Sequence, residues 1–517
     1  MMKLKFPILI LILTFACLIS ACQTVSDADK KDSKHLRVAT SYKIQHLDPL
    51  KSAHYFLVEF GVAELPLILN SNGKIEPWLL ESYEQIDGLN WRLRVRPDVK
   101  FQNGKPLTAE SFARAMNRQL EKSPETKAGI GAAKATTNGA NEIILTTETP
   151  NPSVPAALAD ESVFPIYDVE TVEAVGDDSL KLIGSGVYTG LYKINALDER
   201  ELSLVRNENY RLGKSPFDRV SILFVGDPQA RVLAVQNDEA DIALYPQTQN
   251  KRMLVNRSDA FFKLSDKTSG GPSLFFNIRI APFDDVNVRR AVSFGINYKS
   301  LADETMDEIY QPANGFYAPN VAWAKQNQRT DVEAAKKSLD ESGWSTNADG
   351  IREKNNSKLA ATILIYPQQS DFAALATALQ AQLRAVGFDI KIKQVDDIQG
   401  EIKTSKTWNL AILGSGTLTT GGAPDPVLQR YFVSSSEENR SGIVDAELDE
   451  LIKKLSRTFD ENERREILGK IQDVIIVEKA YLVRLGFTRA KAIVGKRFQN
   501  FQPSPQLHHI TFDTKAD

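Results

Sequence analysis

Segments with the periodicity of β-strands alternate with segments with the periodicity of α-helices along most of this chain. Residues 35–40 (HLRVAT) and 90–97 (NWRLRVRP) alternate apolar and polar side chains, as half-buried strands do. Residues 108–122 place apolar side chains on one face of a helix and begin with a threonine that suits an N-cap. In residues 373–395 a helical stripe ends at Gly387 and an alternating strand follows. The pattern predicts an α/β fold with mixed sheets.

The N-terminal segment has the features of an export signal. Lys3 and Lys5 precede a 14-residue apolar run, which is short for a bilayer span and right for a signal-peptide core. Two small residues then precede Cys22, an arrangement that resembles the lipobox of bacterial lipoproteins. In those proteins the cysteine becomes the new N-terminus and is lipidated. The sequence therefore predicts a lipoprotein signal peptide over residues 1–21 and lipidation at Cys22. An ordinary secretory signal with an incidental cysteine is the alternative.

The composition of the remaining chain excludes several kinds of function. Cys17 leaves with the signal and Cys22 is blocked, so neither thiol chemistry nor a thiolate metal site is expected. The chain has 63 Lys and Arg against 66 Asp and Glu, and the signal removes two lysines, which argues against a nucleic-acid partner. Residues 22–35 are polar and predict a flexible tether. The chain of 517 residues is too long for one core, so two or three domains are expected.

Enzyme motifs are missing from the sequence. The glycine-rich residues 184–190 lack the spacing of a dinucleotide loop, and residues 414–422 lack the Lys-Ser/Thr that completes a phosphate loop. There is no HExxH pair and no serine in a nucleophile elbow. These motifs therefore identify no catalytic residues.

Four stretches in order resemble the family-5 solute-binding proteins of bacterial ABC importers, which carry peptides, nickel and related ligands. They are residues 73–112 (GKIEPWLLESYEQIDGLNWRLRVRPDVKFQNGKPLTAESF), 206–244, 275–297 and 331–344. The resemblance implies a type II periplasmic-binding-protein fold of the large class, with two lobes, a hinge and an extra subdomain. It also implies capture of a ligand between the lobes and delivery to a permease and ATPase at the membrane.

The resemblance also implies where the chain crosses between the lobes. Lobe I would contain residues 36–266, with the extra subdomain, and residues 488–517. Lobe II would contain residues 267–487. The protein is expected to act as a monomer in the periplasm or on the extracytoplasmic face, tethered by the lipid on Cys22.

The loop before Pro426 bears on the ligand. Peptide-binding members of the family commonly carry an aspartate there that holds the amino terminus of the peptide. Gly422 stands at that position in this chain, although Asp425 can substitute for it. The sequence GGAPDP is instead close to a loop of nickel-binding members, so the resemblance favours nickel over peptides.

A double histidine near the C-terminus supports the same interpretation. Some nickel-binding members carry such a pair, and here it is His508 and His509, with Gln506 in place of a valine. Neutral imidazole is a good ligand for Ni²⁺ and Cu²⁺. Pro503 and Pro505 favour an irregular backbone before the pair, while residues 510–513 (ITFD) are expected to form an anchoring strand.

Two imidazoles cannot fill the coordination shell of such an ion. The expected ligand is therefore a nickel complex with L-histidine or another small chelator, and His54 is a further candidate ligand. No catalytic cofactor is expected. The alternative is an oligopeptide- or dipeptide-binding protein of a peptide importer, in which the two histidines would be an exposed pair at a chain end.

Overall fold

The computed structural model describes residues 33–51, 54–70, 73–268, 270–369, 371–415, 423–506 and 508–517. The predicted signal peptide, Cys22 and Gly422 lie outside these ranges. Within them, no helix has both the length and the apolar character needed to cross a membrane.

The strands are numbered in chain order. They are β1 His35–Thr40, β2 Leu67–Leu69, β3 Ile75–Pro77, β4 Leu80–Gln85, β5 Asn90–Val95, β6 Ala133–Thr137, β7 Glu142–Thr147, β8 Tyr192–Leu197, β9 Glu201–Arg206, β10 Arg219–Phe224, β11 Ile242–Leu244, β12 Ala260–Thr268, β13 Gly271–Phe276, β14 Tyr310–Pro312, β15 Ser345–Thr346, β16 Arg352–Lys354, β17 Ser357–Lys358, β18 Ala360–Ile365, β19 Asp389–Gln394, β20 Leu410–Ser415, β21 Leu482–Arg484 and β22 Gly486–Gly495.

The α-helices are named by their bounds. They are His54–Glu59, Ala109–Lys122, Pro124–Ile130, Val154–Leu158, Val169–Ala174, Pro228–Gln236, Thr248–Leu254, Val286–Gly295, Tyr298–Ser300, Val332–Glu341, Asp371–Arg384, Ile398–Thr404, Pro424–Phe432, Ala446–Leu455 and Glu461–Asp473. Short 3₁₀-helices lie at Ser179–Leu182 and Lys496–Phe498, and short π-helices lie at Leu301–Thr305 and Val474–Glu478.

Two large buried clusters divide the molecule. The first combines residues 36–244 with residues 492–510, and the second takes its members from residues 274–487. The first surrounds an eight-stranded sheet in the order β12-β22-β11-β1-β10-β9-β8, with β14 paired to β22, and a separate four-stranded sheet β4-β5-β7-β6. The second surrounds a five-stranded sheet in the order β19-β18-β20-β13-β21. The result is an α/β protein with two lobes, as the sequence predicted.

The chain crosses between the two clusters along β12–β13 and along β22. The first residues of β22 pair with β14, and its later residues pair with β12 and β11. A Cβ atom on Gly271 would lie 2.0 Å from the carbonyl oxygen of Gly486, so only glycine allows the two crossings to approach this closely. We keep the names lobe I and lobe II for the ranges given above, whose boundaries remain a prediction.

Several helix and strand ends can be compared with the positions that the sequence predicts. The helix Ala109–Lys122 begins behind Thr108, whose side chain accepts a hydrogen bond from the N–H of Ser111, as the N-cap pattern predicts. The helix Asp371–Arg384 is followed by Gly387 with φ +106 and then by β19. His35 is shared by the predicted tether (22–35) and the predicted strand (35–40), and it is the first residue of β1. Its Nε2 is 2.9 Å from the hydroxyl of Ser221, because strand pairing with β10 begins there.

Candidate functional site

The C-terminal tail is fixed against the end of the helix His54–Glu59. The backbone N–H groups of His509 and Ile510 both donate to the carbonyl oxygen of Glu59, at 3.1 Å each. Residues 503–506 and 508–509 form no strand, in agreement with the effect expected of the prolines. Residues 510–513 also form no strand, so the predicted anchoring strand is wrong. A turn held by Thr511 and Thr514 takes its place, and the contacts to Glu59 do the anchoring.

His508 lies in an aromatic and acidic pocket of lobe I. It is 9% exposed, and its ring packs edge-on against the indole of Trp78, with ring centres 5.4 Å apart. Its Nε2 lies 3.6 Å from Oε1 of Glu161. Its Nδ1 is buried and makes no hydrogen bond within the described part of the chain.

His509 faces a second carboxyl group. It is 6% exposed, and its ring packs edge-on against Tyr245 with ring centres 5.9 Å apart. Its Nε2 lies 3.4 Å from Oε1 of Glu59, an atom that also accepts a hydrogen bond of 2.7 Å from the Tyr245 hydroxyl. Both ring nitrogens of His509 are buried without a hydrogen-bond partner among the described residues.

Burial sets the protonation states of this pocket. Desolvation lowers the pKa of His508 from 6.5 to about 4. Desolvation, with a smaller effect of the neighbouring His508, lowers the pKa of His509 to about 3. Desolvation also raises the pKa of Glu59 to about 8, against the opposing effect of the Tyr245 hydrogen bond. At neutral pH both imidazoles are therefore neutral and keep a nitrogen lone pair, which is the form that binds a metal ion.

The protein donors alone do not complete a metal site. Among the described residues, no group of three or more His, Cys, Asp or Glu side chains is placed to hold one ion. A square-planar or octahedral ion needs at least four donors.

A cavity of about 640 Å³ lies between the two lobes next to this pocket. Tyr245 belongs to its wall and to the His509 contact, so the cavity and the histidine pocket share a side chain. Its other aromatic and charged wall residues come from both lobes: Tyr42, Arg231 and Lys491 from lobe I, and Tyr310, Tyr366, Asp371 and Phe372 from lobe II. The volume and the mixed polar and aromatic wall are typical of a small-molecule site.

The family model described as "Bacterial extracellular solute-binding proteins, family 5 Middle" matches residues 74–439. The chain belongs to this family. Its members are the solute-binding components of ABC importers, which work with permease and ATPase components and are not enzymes.

Individual relatives of this solute-binding protein cover most of its length. The "Nickel-binding protein NikA" of Staphylococcus aureus is 24% identical over 90% of both chains. The "Nickel-binding periplasmic protein" of Escherichia coli is 27% identical over 87% of this chain and 88% of its own length. The "Probable D,D-dipeptide-binding periplasmic protein DdpA" of Escherichia coli is 23% identical over 82% of this chain and 81% of its own. These homologues are periplasmic or otherwise extracytoplasmic proteins.

Solved structures agree on the fold. A nickel ABC transporter structure from Bacillus halodurans is 24% identical, with a TM-score of 0.79 over 93% of this chain and 99% of that one. NikA from Staphylococcus aureus in complex with Ni(L-His)2 is 21% identical, with a TM-score of 0.73 over 94% of this chain and all of that one. The type II binding-protein fold expected from the sequence is therefore confirmed.

The other predicted site residues have different positions in this solute-binding protein. Asp425 is buried, pairs with Arg464 at 2.6 Å and accepts a hydrogen bond of 2.7 Å from Ser153. Its charge is therefore already neutralised by a protein side chain. His54 begins the helix that ends at Glu59, but its side chain lies outside the described part, and Gly422 lies outside it altogether.

Sequence reasoning missed the two residues that face His509. Glu59 and Tyr245 are distant from the tail in sequence and follow no motif that we recognised. One signal was present for Glu59, because it is an acidic residue within the apolar segment 56–63 (FLVEFGVA). A carboxylate in such a run is either paired or functional, since burial of a lone charge is costly.

Proposed function

We propose that this protein captures nickel as a complex with a small chelator such as L-histidine and delivers it to its ABC permease. The observation that supports this most directly is the pair of buried neutral imidazoles beside the cavity between the lobes. The incomplete donor set supports a chelated ion rather than a bare one. The names of the Staphylococcus aureus and Escherichia coli relatives point to the same cargo.

Calorimetry with Ni²⁺ and L-histidine tests the proposal. Replacing both rings, His508→Ala with His509→Ala, should weaken binding at least tenfold, or about 1.4 kcal/mol. His46 is half-buried in a loop of lobe I, and no described contact of His508 or His509 involves it, so His46→Ala is a matched control that should leave affinity unchanged. Equal affinity in wild type and the double variant would contradict the proposal. Titrations with Cu²⁺ and Co²⁺ in the same solution would establish the metal preference.

A peptide cargo is the second candidate. The cavity volume and its tyrosine-rich wall also suit a short peptide, and a peptide-binding relative covers most of the chain. The buried ion pair of Asp425 with Arg464 argues against it, because this carboxylate is not left for a peptide amino terminus. Mass spectrometry of the ligand that copurifies with the protein from cells distinguishes the two. A set of short peptides without nickel would favour the second candidate.

We also propose that the mature chain is a monomer attached to the membrane through a lipid on Cys22. The lipobox-like sequence before this residue supports the attachment. The mass of the purified mature protein tests it directly. A mass without a lipid, or an N-terminus elsewhere than Cys22, would contradict this part of the proposal.

A further inference from the structure

Glu59 holds His509 through both its main chain and its side chain. Its carbonyl oxygen accepts the N–H groups of His509 and Ile510, and its Oε1 lies 3.4 Å from Nε2 of the His509 ring. One residue at the end of a helix thus determines where the tail runs and which group faces the imidazole.

The Glu59 carboxyl is fully buried but only partly hydrogen-bonded. Its side chain is 0% exposed. Tyr245 donates to Oε1, whereas Oε2 is buried without a hydrogen-bond partner among the described residues, as are both ring nitrogens of His509. Buried polar atoms without partners are uncommon because each one costs free energy. Unpaired polar atoms on two adjacent side chains can be satisfied by a cation that binds between them.

The distance between the two side chains suits a shared metal ion. Donors that bind one ion at about 2.1 Å lie about 3.0 Å apart at a right angle and about 4.2 Å apart on opposite sides. The separation of 3.4 Å between Nε2 of His509 and Oε1 of Glu59 falls between these limits. The separation is therefore one at which a single ion can contact both groups.

We propose that Glu59 is a direct ligand of the transported metal, together with His509. This inference rests on the proposed nickel function and adds an oxygen donor to it. Tyr245 is then a positioning residue, because its hydroxyl donates to Oε1 and holds the carboxyl group beside the His509 ring. The protein would supply nitrogen and oxygen donors, and the chelator would supply the rest.

Glutamate-to-glutamine substitutions test the assignment by calorimetry with Ni²⁺ and L-histidine. Glu59→Gln should weaken binding by at least about tenfold, because even the loss of a residue that only supports a metal ligand typically costs about tenfold to a hundredfold. Glu64→Gln is the matched control, because Glu64 is also buried and also accepts a tyrosine hydrogen bond, from Tyr210 at 2.9 Å. The control should stay within about threefold of wild type. Glu59→Asp, which keeps the carboxyl group but withdraws its oxygens, should also lose affinity and serves if Glu59→Gln does not fold.

X-ray absorption at the nickel edge distinguishes a ligand from a residue that only supports His509. A changed coordination spectrum in the Glu59 variant, with an unchanged one in Glu64→Gln, supports ligation. Affinity loss with an unchanged spectrum, or no affinity loss, overturns it. Failure of the wild type to bind nickel would instead overturn the proposed function, so the two failures are distinguishable.

Discussion

At the scale of single residues, burial explains why this histidine pair differs from a surface pair. An exposed histidine is partly protonated near neutral pH, whereas His508 and His509 are enclosed by Trp78, Tyr245 and the main chain of Glu59. The rings therefore lose water without gaining hydrogen bonds at three of their nitrogens. The missing hydrogen bonds lower the free energy of unfolding, and they also leave the rings able to bind a metal ion.

This burial predicts acid sensitivity of the metal-free protein. The folded-state pKa values of about 4 and about 3 lie below the ordinary 6.5, so the unfolded chain binds more protons between pH 6.5 and 4. The two histidines should therefore lower the free energy of unfolding by a few kcal/mol in total as the pH falls through this window, while the raised pKa of Glu59 acts in the opposite sense in wild type and variant alike. Denaturant unfolding of wild type and of a His508→Gln/His509→Gln variant at pH 7 and pH 4.5 measures the effect. A similar loss in both proteins would contradict it.

At the scale of helices and strands, the sequence-based predictions were correct where the residues that determine the structure lie close together in the sequence. The Thr108 cap, the helical stripe before Gly387 and the alternation in β19 each depend on neighbours within a few residues. The site did not follow from such signals, because Glu59, Tyr245 and His509 meet only through tertiary packing. The failed strand prediction at residues 510–513 has the same origin. Alternation is consistent with a strand there, but the backbone donor of Ile510 is used by Glu59.

A glycine-to-alanine substitution tests the close approach of the two crossing strands, β13 and β22. Gly271→Ala would place a methyl group 2.0 Å from the carbonyl oxygen of Gly486, so β13 and β22 must move apart. The variant should lose stability by a few kcal/mol and melt at a lower temperature. Gly469→Ala is the control, because it lies inside the helix Glu461–Asp473 with open space around it. The control should gain up to about 1 kcal/mol. Equal melting temperatures for Gly271→Ala and wild type would contradict the steric argument.

At the scale of the whole molecule, polar contacts join the two lobes. Ser153 of lobe I donates to Asp425 of lobe II, and Thr248 of lobe I donates to Asp371 of lobe II at 2.7 Å. Lys491 lies 3.7 Å from the same Asp371. Contacts of this kind exist only while the lobes are together. They therefore contribute to the equilibrium between the open and closed arrangements of the lobes, which a bound ligand shifts. Asp425, considered from the sequence as a ligand contact, is better placed to hold the lobes together.

The most direct test of the account is the position of the metal in a crystal of the protein grown with Ni²⁺ and L-histidine. Anomalous scattering at the nickel edge locates the ion independently of any assumption about its ligands. We predict one peak about 2.1 Å from a ring nitrogen of His508 or His509, with the chelator extending towards the cavity between the lobes. A peak elsewhere, or a peptide in the cavity with no metal at the histidines, would contradict the account.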